Sequence, residues 1–362
     1  MRVRHDKTEK LLKTGLRGTL NAWNTALSVW DSIQNPVTLR MVCGRDEVDF
    51  SSKGSDDVYY DRAVARDKTG MSEMANFHNN VVKADLYKTY GMSGGALLEL
   101  ACGKGGDMPR WLEAGFKTIV GIDYSNDNIV NPDGGVYSRW ETRTGTLKNR
   151  PDAAFITMDA SVRMFPPLDE LGEASAKVGQ AELVSTMWGQ EPAVRPELMN
   201  LNGVMTKGFD LVSCQFSIHY FFQDGDMLDR FVANVSRMTK VGGHFICTVF
   251  DGDKVAAGLA SGDMVGRVGG TVLWNVQKQH SGAFNGETGK AIGVYIVTIG
   301  QAITEYLVSP RTLQARMERA GFKLVVSERF EEVHKRLKGG PLTPVEAAYS
   351  YLNRTFVFKK VK

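Results

Sequence analysis

From residue 76 onward, short apolar runs alternate with stretches of helical period. GALLELA (95–101) predicts a buried strand, and DMPRWLEAG (107–115) predicts the helix that follows it. Asp107 stands at the head of that helix, Pro109 in its first turn and Gly115 near its end. KTIVGID (117–123) reads as a second strand, AAFITMD (153–159) as a third and FDLVSCQFSI (209–218) as a fourth. In DMLDRFVANVSRMT (226–239), Met227, Leu228, Phe231, Val232, Val235 and Met238 fall on one helical face. A turn at Gly242-Gly243 then leads to the strand HFICTVF (244–250). RTLQARMERAGF (311–322) is helical with a stop at Gly321, and KLVVSER (323–329) and RTFVFKK (354–360) supply two last strands. Strands alternating with helices imply an α/β fold: a largely parallel sheet with helices on both faces.

Two stretches break this order. Residues 166–206 are polar and rich in Gly, Pro and Glu. Residues 252–305 contain TVLWNVQ and AIGVYIVTI and read as a hairpin excursion. Upstream, residues 1–40 differ in character: RVRHDKTEK is polar, and TLNAWNTALSVWDSI is helical until Asn35-Pro36 stops it. Residues 45–75 are charged, have few apolar anchors and read as a linker.

At 362 residues and 43% hydrophobic content, the chain can bury a sizeable core. A net charge of +3 argues for no particular partner. Cys43, Cys102, Cys214 and Cys247 are scattered with no C-x-x-C pair, the pattern of reduced thiols. The histidines show no ligand spacing with cysteines or carboxylates, so no metal site is expected. No apolar run reaches the roughly 18–20 residues that span a bilayer. The expectation is a soluble, intracellular protein without a membrane partner.

After the first strand comes Ala101-Cys102-Gly103-Lys104-Gly105-Gly106-Asp107. Glycines allow close backbone approach, and ligands of open α/β sheets bind at such strand ends. A dinucleotide fingerprint would want a third glycine where Met108 stands, and the mononucleotide G-x-x-x-x-G-K-[ST] pattern is absent. S-adenosylmethionine remains. It needs a glycine turn beside its methionyl part and an acid for its ribose hydroxyls, and Asp123 closes the second strand. Glu99 and Asp107 are candidates for its sulfonium or amino group, and Asp159 for its adenine amino group. Taken alone, the turn is a moderate signal, the lesser reading being a tight strand-to-helix connection with no ligand.

LLELACGKGGDMPRW resembles the first motif of mRNA cap guanine-N7 methyltransferases, a hydrophobic strand followed by D-L-G-C-G-K-G-G-D. Glu99 replaces its usual Asp, and Ala101 its first glycine. NFHNNVVKADL (76–86) resembles the family's F-N-N-x-x-K-x-x-L helix, and SCQFSIHYFF (213–222) its Q-F-x-x-H-Y signature. AITEYLV (302–308) resembles the segment with the guanine-binding glutamate, here Glu305. The resemblance covers about residues 70–360, and most closely the methyltransferase domain of multifunctional capping enzymes of large DNA viruses. Arg4-His5-Asp6-Lys7 fits the R-x-D-K motif that ends guanylyltransferases, whereas K-x-D-G is absent.

The resemblance implies a Rossmann-like class I S-adenosylmethionine-dependent methyltransferase with a seven-stranded sheet. Residues 1–45 would be the tail of an upstream guanylyltransferase-like domain with a linker, and 46–362 the methyltransferase domain. Lys83, Glu99, Ala101, Gly103, Asp107, Asp123, Asp159 and Gln215 would hold the cofactor, which leaves as S-adenosylhomocysteine. Asn79, Asn80, Phe216, His219, Tyr220, Glu305 and Tyr349 would border the cap guanine. At the family's tyrosine position in the last strand stands Asn353, with Tyr349 and Tyr351 near it. Because N7 carries a free lone pair, no general base is expected. The implied partner is capped RNA with a GpppN end, and the compartment cytoplasmic, or a viral factory or virion if the source is viral. Arg139, Arg143, Lys148 and Arg150 form a basic cluster that could meet phosphates. The competing readings are a methyltransferase of another acceptor and a non-catalytic cap-binding module.

Overall fold

A computed structural model describes residues 70–166, 181–190 and 196–362. The readings of 1–45 and of most of 166–196, and Cys43, lie outside the described residues. The strands are β1 Ala96–Leu100, β2 Thr118–Asp123, β3 Asp152–Thr157, β4 Phe209–Gln215, β5 Thr239–Phe250, β6 Met264–Val268, β7 Thr271–Lys278, β8 Ala291–Ile296, β9 Ala302–Tyr306, β10 Phe322–Arg329 and β11 Asn353–Lys360. Helix α1 runs over 72–90 and widens to π geometry through Phe77–Lys83. Then follow α2 Met108–Glu113, α3 Asn126–Val130, α4 Val136–Thr144, α5 Ala181–Trp188, α6 Val204–Lys207, α7 Gly225–Met238, α8 Gly252–Leu259, α9 Pro310–Arg319, α10 Phe330–Leu337 and α11 Pro344–Ser350.

Seven strands form one sheet in the order β3-β2-β1-β4-β5-β11-β10. All its pairings are parallel except those of β11, which runs against both neighbours. Alternation along β1 and β2 explains the two layers of helices. Leu98, Leu100, Val120 and Ile122 face one side and join Met187 of α5 and Leu228 and Phe231 of α7. Leu97 and Ile119 face the other and join Leu86 of α1, Trp111 of α2 and Trp140 of α4. On α7 the predicted stripe is buried at Leu228, Phe231, Val232, Val235 and Met238. Each such side chain contributes roughly 1.5–3 kcal/mol. The Asp224 carboxylate starts that helix by accepting from Met227 N at 2.7 Å.

Three sequence expectations are corrected. The fourth strand ends at Gln215, because Phe216 turns left-handed (φ 54°) and Ile218–Phe222 coils into a 3₁₀ turn. Phe216, Ile218 and Tyr220 therefore do not share a strand face. Gly242-Gly243 makes no turn: α7 runs directly into β5, and the glycines absorb a bulge where Phe209↔Thr239 gives way to Leu211↔His244. The excursion at 252–305 is more than a hairpin. It holds α8 and begins a four-stranded antiparallel sheet, β6-β7-β8-β9, that packs with α8, Tyr349 and Leu352 in a third core.

Candidate functional site

The carboxyl ends of β1, β2, β4 and β5 gather the site. Parallel register sets Glu99 opposite Ser213 and Gln215 opposite Thr248. Glu99, 2% exposed, accepts from Tyr87 Oη at 2.5 Å and from Ser213 Oγ at 3.0 Å. Burial, with the Asp107 carboxylate nearby, pushes its acid up to about 8, against the pull of these donors and Lys83. Gln215 spends both ends of its amide here. Its Nε2 donates to Ser213 Oγ at 3.0 Å, and its Oε1 accepts from Thr248 Oγ1 at 2.9 Å.

The glycine turn after β1 is left-handed at Ala101 (φ 56°), Gly103 (φ 53°) and Gly105 (φ 70°). A Cβ at Gly103 would meet only open space, so the backbone there is bare towards a ligand. Gly103 N donates to Asp123 Oδ2 at 2.7 Å, which ties the turn to the end of β2. Ser125 N and Asn128 Nδ2 hold the other oxygen of Asp123, each at 3.0 Å. Burial raises the Asp123 acid, and these three donors oppose it. Asp107 occupies the N-cap position of α2 but does not cap it. Its carboxylate instead accepts from Lys83 Nζ at 2.9 and 3.1 Å. Asp159 lies two residues beyond β3, half-buried, and accepts from Ser161 N at 2.7 Å.

Helix α1 contributes more than the motif indicated. Lys83 Nζ stands 5.1 Å from the Phe216 ring centre, and His78 stacks on that ring at 5.3 Å. His78 is anchored by Ser350 Oγ at 2.8 Å and kept neutral by burial and by Lys83. Phe216 N donates to Thr248 O at 2.9 Å, which secures the strained backbone at this residue. Asn79 and Asn80 serve a clasp to α2. Arg110 donates to the Asn79 carbonyl at 3.0 Å and to Asn80 Oδ1.

A second cluster forms where the 3₁₀ turn meets β9. Glu305 is 8% exposed, and burial alone pushes it up to about 8. His219 Nδ1 lies 3.6 Å from Glu305 Oε2, and the His219 and Tyr220 rings are 4.2 Å apart. Burial lowers His219 to about 3, so its ring is neutral. Its Nε2 is buried without a hydrogen-bond partner among the described residues. Tyr349 packs on Phe250 and Trp274 at 5.4 and 5.6 Å, and its hydroxyl is raised by burial and by Glu305. Asn353 turns away, donating to the carbonyls of Tyr349 and Ser350 at 3.4 and 3.0 Å. In the basic cluster, Arg150 pairs with Glu141 and Arg139 donates to the Lys104 carbonyl at 2.7 Å.

Thus Lys83, Glu99, Gly103, Asp107 and Asp123 are brought together by hydrogen bonds and mutual charge, and His219, Tyr220, Glu305 and Tyr349 form a second cluster. Phe216 belongs with Lys83 and His78, four residues before Tyr220. The sequence reading omitted His78, Tyr87, Ser213 and Thr248.

A 3-2-1-4-5-7-6 strand order with the seventh strand antiparallel, a glycine turn after β1 and an acid closing β2 define a class I S-adenosylmethionine-dependent methyltransferase. Within that class, the chain belongs to the mRNA (guanine-N(7))-methyltransferase domain family, which it matches over residues 57–340. It is similar to the "Probable mRNA-capping enzyme" of Acanthamoeba polyphaga mimivirus, 28% identical over 357 residues. That match covers 93% of this chain and 29% of the viral protein. The mRNA cap guanine-N(7) methyltransferase of Saccharomyces cerevisiae is 24% identical over 328 residues, 82% of this chain and 66% of its own. Among solved structures, the CcbJ methyltransferase from Streptomyces caelestis aligns with a TM-score of 0.45 at 14% identity, over 81% of this chain and 98% of that one.

Proposed function

We propose that this chain transfers a methyl group from S-adenosylmethionine to N7 of the guanosine that caps an RNA 5′ end. The observation that carries the acceptor is the buried pair Glu305 and His219. An ionised Glu305 accepts from guanine N1–H and N2–H₂ together. His219, neutral and with Nε2 otherwise unsatisfied, offers an N–H to O6. Adenine presents the opposite pattern at those positions and leaves both groups unpaired, which is costly in a buried pocket.

The residues of the first cluster fit the methyl donor. Lys83 suits its carboxylate, Glu99 and Asp107 its cationic amino and sulfonium end, and Asp123 its ribose hydroxyls. Ala101 and Gly103 bring the backbone close, and Asp159 and Gln215 border the adenosine. When bound, S-adenosylmethionine supplies an electrophilic methyl group on sulfur. N7 needs no deprotonation, so the residues act by alignment, an effect that can contribute roughly 7–11 kcal/mol. The aromatic faces of Phe216 and Tyr220 favour a base that gains positive charge as it is methylated. Tyr349 completes the acceptor side, whereas Asn79 and Asn80 act through their hold on Arg110, which frames Lys83 on the donor side.

Residues 1–45 we read as the tail of an upstream guanylyltransferase-like domain, a proposal supported by the name of the mimiviral relative. Among the described residues, no helix is long and apolar enough to cross a membrane. We place the activity inside the cell, in the cytoplasm or a viral factory. The test is the full chain with labelled S-adenosylmethionine and RNA ending in GpppG or ApppG. Labelled 7-methylguanosine from the first RNA alone is expected. A protein that binds the methyl donor yet labels neither RNA, or labels both equally, would overturn the assignment.

A further inference from the structure

Tyr87 lies four residues beyond Lys83 and reaches past it to Glu99. Its hydroxyl donates to Glu99 Oε2 and Ser213 donates to Oε1, with the two hydroxyl oxygens 2.9 Å apart. A hydroxyl has one proton to give. With Glu99 ionised, each of its oxygens receives one of these two protons, and Gln215 Nε2 supports Ser213 from behind. The Tyr87 ring is buried in the core between α1 and the sheet, so its hydroxyl has one fixed direction.

We infer that Tyr87 is a positioning residue for the methyl donor: with Ser213 it fixes the Glu99 carboxylate, in orientation and in charge, for the cationic end of the cofactor. This rests on Glu99 contacting the cofactor, as proposed above. The groups that act on Glu99 are Lys83 and Tyr87 from α1, Asp107 at the head of α2, and the thiols Cys102 in the glycine turn and Cys214 in β4. Burial and Asp107 favour the protonated acid, whereas Tyr87, Ser213 and Lys83 favour the carboxylate. Tyr87 thus supplies part of the stabilisation that solvent cannot give at this depth.

The test is calorimetric titration of the full chain with S-adenosylhomocysteine from pH 6 to 9, for wild type, Tyr87→Phe, Ser213→Ala, the double variant and Glu99→Gln, with thermal melts alongside. Phenylalanine keeps the buried ring. Tyr87→Phe is expected to weaken binding about tenfold, to move the alkaline rise in affinity to higher pH, and to leave the KM for capped RNA within about twofold. The double variant should lose less than the product of the single losses, because both donors serve one carboxylate. Unchanged affinity and pH profile in Tyr87→Phe, with Glu99→Gln impaired, would overturn the role of Tyr87 alone. An affinity loss without movement of the pH profile would show a merely structural contact and also overturn it. Wild-type affinity in Glu99→Gln would overturn both this inference and the assignment of Glu99. Absence of any binding by the wild type would overturn the proposed function itself.

Discussion

Ala101 stands where the family motif has glycine, yet it adopts the left-handed backbone the turn needs. The substitution therefore preserves the turn and stores strain in it, of order 1 kcal/mol. Ala101→Gly should raise thermal stability by about that amount in a melting experiment, while cofactor binding stays intact. Glu305 makes a different forecast. Its acid is lifted to about 8 by burial, which favours the protonated form at neutral pH. Accepting two guanine donors requires losing that proton. Affinity for a cap dinucleotide should rise with pH, by up to about tenfold per unit, and level off above about 8. Glu305→Gln should flatten this slope and reduce kcat/KM by about 10–100-fold, because an amide returns a donor towards guanine. Steady-state kinetics across pH decides both points.

Among elements, α1 is the one whose local geometry matters most. Its π stretch ends at Lys83, and Arg110 clasps that stretch through the Asn79 carbonyl and the Asn80 side chain. Widened turns of this kind recur at functional sites. Arg110→Ala should lower stability by about 1–2 kcal/mol and weaken cofactor binding several-fold, because Lys83 loses its frame. Denaturant melts and calorimetry read the two effects separately. The strands were legible in the sequence because β1, β2 and β4 are buried on both sides and show as mainly apolar runs, broken within by Glu99, Asp210 and Ser213. The end of β4 was not, since Phe216 continues the apolar pattern while its backbone leaves the strand. Nor was the β5 bulge, where two glycines imitate a turn. Motif residues such as Asp123 and Lys83 could be read because their spacing is local. Tyr87, Ser213 and Thr248 look like ordinary core residues until folding sets them against partners far along the chain. His78 adjoins Asn79 in the motif helix, and that adjacency was the one available signal.

For the molecule as a whole, Asp251 is the joint between its two sheets. It is 1% exposed, caps α8 through Lys254 N, and accepts from Arg329 at the end of β10 and from Arg354 in β11. These donors hold its acid below the ordinary carboxylate range. Its contribution is therefore present above that range and fades as pH falls through the lowered value. Asp251→Ala should cost about 3 kcal/mol by stranding Arg354, and should raise the KM for capped RNA more than the dissociation constant of the cofactor. Glu99 and Glu305 act in the opposite sense. Both ionise near 8 in the folded chain, whereas the buried neutral His78 and His219 offset them below about 6.5, so the protein should melt at progressively lower temperature as pH climbs from about 6.5 to about 8. The order of residues along the chain carries one more consequence. Every side chain assigned to the methyl donor precedes β5, whereas Glu305 arrives with the segment inserted after it. Of the proposed acceptor pair, His219 precedes β5 with the donor residues and Glu305 comes with the insert, so exchanging that segment would change the edge that reads the purine while leaving the holders of the electrophile in place.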